Sequence, residues 1–253
     1  MGQREGVQHY DDIGRGYAAR RRADPRIQDI IDRALGGSER VLNVGAGTGS
    51  YEPNDRHVTA VEPSMVMIAQ RPPGAAAVIR AVAEFLPFRD AVFDAAMAVL
   101  AVHHFADIPR GLGEMRRVAK RVVLLTYSPD FDLFWLTREY FPEVADWDRR
   151  RLPFNEDLTQ WLGGAEERVV PIPNDCTDGF LGAFWGRPEA YLDPAIRGGI
   201  STLALIDPTT VEARLRRLAD DLQSGAWDAK HGELRWLDSL DVGYRLLVAN
   251  GTG

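Results

Sequence analysis

The apolar residues of this 253-residue chain occur in two arrangements, which predict two kinds of secondary structure. Short continuous runs of Val, Leu, Ile and Ala are typical of strands buried on both faces of a parallel sheet. Stripes of apolar residues three and four positions apart are typical of helices that pack on such a sheet. The runs predict strands at residues 41–44, 57–61, 77–82, 93–98, 122–126, 168–172 and 244–249.

Helical stripes lie between many of these runs. They pass through residues 27–35, 65–69, 112–119 and 208–222. Gly36 and Gly37 predict the end of the first helix, and Asp207 with Pro208 predicts the start of the last. This alternation of strands and helices predicts an α/β fold, in which a mostly parallel sheet carries helices on both faces.

The alternation becomes irregular after residue 127. Residues 131–165 are rich in aromatic side chains, and residues 175–240 separate the last two predicted strands. Because this second segment begins and ends inside the sheet, we interpret it as a helical lid or insertion and not as an independent domain. The chain is therefore predicted to form a single domain over residues 1–253, with a core at about 27–174 and 241–250, an N-terminal arm at 1–26 and the insertion at about 175–240.

Composition excludes several classes of protein. Hydrophobic residues make up 45% of the chain, as in a globular protein with a full core. The formal net charge of −7 argues against a nucleic-acid partner, because phosphate binding needs a basic face. Cys176 is the only cysteine, so we expect neither a disulfide framework nor a cysteine-based metal site. The first residues lack the apolar segment of a signal peptide, and no apolar run has the length of about 18 residues that a membrane span needs, so we expect a cytoplasmic protein.

The most informative stretch follows the first predicted strand, where glycine occupies positions 45, 47 and 49. Glycine adopts backbone angles that are closed to other residues and lets a ligand approach the main chain. A strand that runs into such a turn is typical of a site for a nucleotide-like cofactor. Ser50 is predicted to cap a short helical turn, and it also breaks the G-x-G-x-x-G spacing of dinucleotide sites. Glu62 ends the next predicted strand, where an acidic side chain can accept hydrogen bonds from a ribose diol.

Three further motifs follow at the ends of later strands. They are Ala83-Glu84-Phe85-Leu86-Pro87-Phe88, Phe93-Asp94-Ala95-Ala96 and His103-His104-Phe105. Together with the G-x-G-x-G turn and Glu62, this order resembles the class I S-adenosylmethionine (SAM) dependent methyltransferases, in particular their small-molecule branch, called type 11 or ubiquinone-biosynthesis-like. The resemblance covers about residues 9–127 and implies a seven-stranded, mostly parallel Rossmann-like sheet. It also implies SAM as the cofactor, S-adenosylhomocysteine as its product, and no metal.

The resemblance further implies which residues contact SAM. The glycine turn packs against the amino-acid moiety, Glu62 binds the ribose hydroxyls, and other residues surround the adenine and the amine. The whole set is Gly45, Ala46, Gly47, Thr48, Gly49, Glu62, Pro63, Met65, Ala83, Glu84, Phe85 and Leu100, with Tyr17 and Arg20 of the arm either closing over the cofactor or lying on a surface arm. Asn43 and Val82 depart from the pattern, because Asp stands at these positions in many relatives.

Catalytic and substrate-binding residues are less strongly indicated. His103 and His104 are candidates for a general base, because imidazole titrates near neutral pH, and His104 is favoured. The alternative is that the pair supports packing and hydrogen bonding. Trp185, Arg187 and Tyr191, at the start of the insertion, are the predicted substrate contacts, with core packing as the alternative interpretation.

These features predict transfer of a methyl group from SAM to an oxygen, nitrogen or carbon atom of a small organic molecule. That acceptor is the expected partner of a monomer or homodimer that binds neither nucleic acid nor membrane. One alternative is a protein that binds SAM without methylating, such as a regulator, a scaffold or a cyclase. A nicotinamide oxidoreductase is a weaker alternative, because Ser50 occupies the position of the third glycine.

Overall fold

A computed structural model of the chain describes residues 21–250. Within these residues, seven strands form one sheet in the order β3-β2-β1-β4-β5-β9-β6. They are β1 (Arg40–Val44), β2 (His57–Val61), β3 (Ala77–Ile79), β4 (Ala95–Val99), β5 (Arg121–Tyr127), β6 (Glu166–Val169) and β9 (Tyr244–Asn250). β9 runs antiparallel to both of its neighbours, and the other pairs are parallel. The predicted α/β class with a mostly parallel sheet is confirmed.

Strand register brings several strand ends to one edge of the sheet. Val44 pairs with Val61, and Val61 pairs with Ile79 on the next strand. On the other side, Val99 pairs with Leu125. Because the strands are parallel, the residues that follow each of them meet at the same edge, where open α/β sheets bind their ligands.

Eight α-helices are present in the described part of the chain. They are α1 (Pro25–Leu35), α2 (Met65–Ala69), α3 (Ile108–Val118), α4 (Pro142–Arg151), α5 (Asn155–Trp161), α6 (Pro194–Arg197), α7 (Pro208–Ser224) and α8 (Ala226–His231). The side chains of Asp24, Asp107 and Asp207 accept hydrogen bonds from backbone N–H groups in the first turns of α1, α3 and α7. Each of these helices also has proline in its first turn, so the starts of all three follow from local sequence.

The sheet separates two hydrophobic cores. On one face, α1 packs with the aromatic segment around Trp135 and with the residues between β6 and β9, including Trp227. On the other face, α3 and α5 cover the strands through residues such as Leu112 and Leu158. Alternation along β9 shows the division, because Leu246 belongs to the first core and Leu247 to the second.

The long segment before β9 leaves and returns through a small ribbon of its own. β7 (Ile172–Pro173) pairs antiparallel with β8 (Ser239–Leu240). Between them the chain forms α6, α7 and α8 and the short 3-10 turns Leu181–Phe184, Pro188–Leu192, Ser201–Leu205 and Gly232–Trp236. The ribbon holds the two ends of this segment together next to the sheet.

The structure corrects several of the predicted boundaries. No helix follows Ser50, because Tyr51 has a φ of 62° and Pro53 follows closely, so the chain continues as turns to β2. β3 is short, since only residues 77–79 pair with β2. The predicted strand 168–172 is divided between β6 and β7, because the chain leaves the sheet after Val169 to join the ribbon.

A buried carboxyl on α4 generates a prediction about stability. Asp148 is 5% exposed, and burial raises its pKa to about 7, although the nearby Arg149 opposes the shift. An unfolded chain ionises Asp148 near pH 3.8, so the folded state loses stability as the pH rises from about 4 to about 7. We expect Asp148→Asn to exceed the wild type in unfolding free energy at pH 8 by as much as about 4 kcal/mol, and to lose this advantage at pH 4.

Urea denaturation at both pH values measures the effect. Asp146→Asn is the matched control, because this exposed carboxylate lies on the same helix and pairs only with Arg149. An equal gain from Asp146→Asn, or a gain that does not change with pH, would contradict the prediction.

Candidate cofactor site

The turn after β1 needs glycine for two reasons. Gly45, Gly47 and Gly49 have φ values of 69°, 53° and 94°, in the left-handed region that favours glycine. A Cβ on Gly45 would also lie 2.8 Å from the Cβ of Ala101, in the loop after β4. The Gly45 and Ala46 N–H groups donate to the carbonyl of Val61 at 2.9 and 3.0 Å, which fixes the turn to the end of β2. Ala46 and Thr48 are buried within it.

Glu62 lies between the glycine turn and the start of α2. Its carboxylate accepts hydrogen bonds from the N–H of Gly47 at 2.8 Å and the N–H of Ser64 at 2.9 Å. The side chain is buried, at 7% exposure. The carboxylate therefore holds the turn and α2 in place, and a ribose diol at this edge would add to these donors or exchange with them.

Exposed apolar side chains lie beyond β2 and β3, where the resemblance implies adenine. Met65 is 51% exposed and Phe85 is 53% exposed, both large fractions for such residues. The Arg110 guanidinium lies 3.8 Å from the centre of the Phe85 ring, a cation–π contact that fixes the ring. Ala83 is buried, and Val82 is 37% exposed.

Glu84 is connected to the loop before α3. Its carboxylate accepts a hydrogen bond from the N–H of Asp107 at 3.0 Å, and its carbonyl accepts one from Nε of Arg110 at 3.1 Å. Glu84 is buried, so its backbone, and not an exposed carboxylate, is what this loop presents. The carbonyl of Pro63 accepts a hydrogen bond from Nε of Arg80 at 3.2 Å.

A buried ion pair that was not predicted from the sequence supports the glycine turn. Arg71 and Glu52 meet at 2.7 Å, with side chains 5% and 8% exposed. Arg71 also donates to the carbonyl of Gly47 at 3.3 Å. The Asn43 amide donates to the Glu52 carboxylate at 3.1 Å, which explains the departure at this position. Asp in place of Asn43 would bring a second negative charge against Glu52.

Leu100, at the end of β4, has an unusual backbone. Its φ is 51°, while its N–H still donates to the carbonyl of Leu125 at 2.8 Å. Left-handed conformations are costly for side chains larger than glycine and cluster at functional sites. This backbone conformation changes the direction of the chain as it leaves β4, next to Gly45.

The two histidines stand in the 3-10 turn Val102–His104, with ring centres 3.8 Å apart. His104 is exposed and His103 is half-buried. Burial, and then the positive charge of Arg21, lowers the pKa of His103 to about 4. His103 is therefore neutral at physiological pH and can accept or donate a hydrogen bond without first losing a proton.

Two of the three predicted substrate contacts lie in the core, as the alternative interpretation expects. Trp185 and Tyr191 have no exposed surface. Nε1 of Trp185 donates to the carbonyl of Ile172 at 2.9 Å, and the Tyr191 hydroxyl donates to the carbonyl of Leu181 at 2.7 Å. Both side chains thus use their polar atoms inside the core and present nothing to a ligand in this conformation. The sequence motif was recognisable, but aromatic side chains at such positions serve packing equally well.

Arg187 is partly buried in the same region. Its guanidinium donates to the carbonyls of Cys176 and Ala183, both at 2.9 Å, and lies over the Phe184 ring. In this structure it closes the turn at residues 181–184. Tyr17 and Arg20, the predicted contacts from the arm, lie outside the described residues.

A polar network that sequence reasoning also missed connects the turn to distant segments. Tyr51, just after Gly49, donates its hydroxyl proton to Asp178 at 2.9 Å. Arg21 donates to the same carboxylate at 2.6 and 3.1 Å. Residues so far apart in sequence leave no periodic signal, so only the folded chain reveals the contact.

Two classes of feature are absent from the described chain. Within residues 21–250, no helix is both long and apolar enough to cross a bilayer. The same residues hold no group of three or more His, Cys, Asp or Glu side chains arranged to bind a metal ion.

Comparison with known proteins gives consistent matches. Residues 42–125 match the family described as "Methyltransferase domain". A candidate methyltransferase from an antibiotic biosynthesis pathway of Anabaena variabilis has a crystal structure that is 33% identical, with a TM-score of 0.84, over 91% of this chain and 98% of that one. The cyclase SpnF has the same fold, with 19% identity and a TM-score of 0.51 over 89% of this chain and 80% of that one.

A curated sequence relative matches only in part. An uncharacterized protein of Methanocaldococcus jannaschii is 28% identical over 115 residues, which are 44% of this chain and 45% of that protein. The matched region thus spans less than half of that relative's length.

The crowding at Gly45 generates a prediction. Gly45→Ala places a Cβ against Ala101 and forces a side chain into a left-handed conformation. We expect a loss of about 2 kcal/mol or more in unfolding free energy, measured by chemical denaturation. Gly113→Ala is the control, because Gly113 lies within α3 with nothing within 4 Å of its Cβ position, and alanine there should stabilise by about 1 kcal/mol. Equal effects of the two substitutions would contradict this account of the turn.

Proposed function

The chain belongs to the class I SAM-dependent methyltransferases, and from that premise we propose that it transfers the methyl group of SAM to an oxygen, nitrogen or carbon atom of a small organic molecule. The observation that carries the proposal is the glycine turn and Glu62. The turn has no room for a side chain at Gly45, and the Glu62 carboxylate is bound to the N–H of Gly47 at the edge where parallel strands end.

The residues around this edge fit SAM in chemical type. Gly45, Gly47 and Gly49 leave the main chain open to the amino-acid moiety, and Glu62 supplies an acceptor for the ribose hydroxyls. Exposed Met65 and Phe85 offer apolar surface to the adenine. When bound, SAM supplies a methyl group on a positively charged sulfur, which is already electrophilic.

The chain's own contribution is then to hold and orient. It must fix the acceptor in line with the bond that breaks, and such orientation is worth on the order of 7–11 kcal/mol of the barrier. The segment between β7 and β8 would exclude water from the site. A histidine base would add roughly 10²–10⁴-fold for an acceptor that must lose a proton.

The acceptor class remains a proposal that rests on a relative. The Anabaena variabilis protein is described as part of an antibiotic biosynthesis pathway, and it is 33% identical over nearly its full length. We propose a small-molecule acceptor of this kind for the present chain, bound by a monomer or homodimer, without nucleic acid or membrane as partners. Arg187 remains a candidate acceptor contact.

Fold alone does not separate methyl transfer from other uses of this site, because SpnF shares the fold and is described as a cyclase. A SAM-binding protein that does not methylate is therefore the second candidate. Incubation with methyl-labelled SAM and cell extract distinguishes them, since only a methyltransferase moves the label to an acceptor. A nicotinamide oxidoreductase would instead bind NAD in preference to SAM.

Binding of S-adenosylhomocysteine is the first test of the proposal. We expect micromolar affinity by isothermal titration calorimetry and no measurable binding of NAD. Glu62→Gln and Glu62→Ala should each weaken the affinity at least tenfold, because both remove the carboxylate that bonds to Gly47 and is proposed to bind the ribose. Preference for NAD, or no binding to a folded wild-type protein, would overturn the assignment of the cofactor.

The lowered pKa of His103 gives a second test. Its imidazole is neutral above about pH 4, so a step that depends on neutral His103 keeps its rate from pH 6 to 9 and fails only as the pH falls toward 4. We expect a flat profile of kcat/KM over that range from the wild type. A histidine-like inflection between pH 6 and 7 that persists in His103→Asn would exclude His103 and assign the role of base to His104.

A further inference from the structure

Tyr51 is held in an unusual conformation at the end of the glycine turn. Its φ of 62° lies in the left-handed region, and its side chain is 2% exposed. Its main chain follows Gly49 after one residue, Ser50, so the position of its ring bears on the direction in which the turn leaves the sheet edge. Left-handed residues other than glycine persist only where the surroundings hold them.

Two hydrogen bonds to distant segments hold the Tyr51 hydroxyl. It donates to Asp178 at 2.9 Å and accepts from the N–H of Asp24, the N-cap of α1, at 3.3 Å. Burial, and then the negative charge of Asp178, raises the pKa of Tyr51 far above its usual value. The phenol therefore keeps its proton and remains the donor to Asp178.

Both carboxylate oxygens of Asp178 accept hydrogen bonds. Its side chain has no exposed surface, and Arg21 binds both carboxylate oxygens, at 2.6 and 3.1 Å. The N–H of Gly179 donates to the same carboxylate at 2.6 Å. A buried carboxylate with these donors has a fixed position, which makes it a rigid support for the Tyr51 hydroxyl.

The network joins three parts of the chain that are remote in sequence. Tyr51 belongs to the glycine turn, Asp178 lies five residues beyond β7 at the start of the long segment, and Arg21 precedes α1. The positive charge of Arg21 is also one of the two causes of the lowered pKa of His103.

We propose that Tyr51 and Asp178 are positioning residues for the cofactor, because the bond between them sets the glycine turn in its binding shape and makes that shape depend on the seating of the segment between β7 and β8. The inference rests on the proposed function for the identity of the cofactor. The positioning itself is a property of the turn and can be measured without a ligand.

Tyr51→Phe is the decisive variant, because it removes one oxygen atom and keeps the ring in the core. Tyr140→Phe is its matched control. The Tyr140 hydroxyl also donates to a carboxylate, that of Asp221, at 2.8 Å, and this bond joins the residues before α4 to α7, away from the glycine turn. Both variants lose one tyrosine–aspartate hydrogen bond, so a general loss of stability affects both, and Tyr51→Phe also loses the weaker bond from the Asp24 N–H.

Two measurements are made on each variant. Hydrogen exchange of the ligand-free protein reports the amides of Gly47 and Gly49, which donate to Glu62 and to Ala46. Calorimetry reports the affinity for S-adenosylhomocysteine. We expect Tyr51→Phe to speed exchange of these amides about tenfold and to weaken binding about tenfold, with Tyr140→Phe within twofold of the wild type in both.

Asp178→Asn, which keeps the size of the side chain, should have the same two effects. The double variant Tyr51→Phe with Asp178→Asn should show less than the sum of the two single effects, because both substitutions weaken the same bond.

Unchanged exchange at Gly47 and Gly49 in Tyr51→Phe would overturn the inference. Faster exchange with unchanged affinity would overturn the part that concerns the cofactor. Faster exchange in a protein whose wild type binds no S-adenosylhomocysteine would sustain the coupling of the turn to the segment between β7 and β8, and the failure would then belong to the proposed function.

Discussion

The close approach of the turn after β1 to the loop after β4 constrains the rest of the candidate site. No side chain fits between Gly45 and Ala101, so the ends of two neighbouring strands meet directly at the sheet edge. The three left-handed glycines of this turn have no side chains with which to hold that position. Its supports therefore come from elsewhere, and they are the carboxylate of Glu62, the buried pair of Arg71 with Glu52, and the hydroxyl of Tyr51.

The buried charges next to the glycine turn are paired with each other. Glu52 already accepts from Arg71 and from the amide of Asn43, both within hydrogen-bonding distance. A carboxylate at position 43 would have no room for its charge beside Glu52, whereas an amide supplies a donor. Asn43, which departs from the family pattern, is thus the residue type that fits beside Glu52, whose carboxylate accepts from the Asn43 amide and pairs with Arg71.

Local patterns predicted the parts of the fold that depend on neighbours in sequence. The strands, the cap at Asp207 and the glycine turn all carry short-range signals, and β2 was predicted to its bounds. The helix after Ser50 was wrong because Tyr51 takes its backbone angle from contacts with residues more than a hundred positions away. The choice between substrate contact and core packing for Trp185 and Tyr191 stayed open for a related reason, since a motif rich in aromatic residues does not say which of its faces meets solvent.

Residues at the start of the segment between β7 and β8 form bonds both to the glycine turn and to the chain around the start of α1. Asp175 pairs with Arg26, Thr177 donates its N–H to Asp24, and Asp178 holds Arg21 and Tyr51. Three of the four positions 175–178 are thus bound to the start of α1, to the chain before it and to the glycine turn. The rest of the segment, from α6 to α8, makes no such contact with the turn among the side-chain bonds of the described residues. These helices are held instead by packing, through residues such as Leu218 and Trp227, while the bonds to the turn come from residues 175–178.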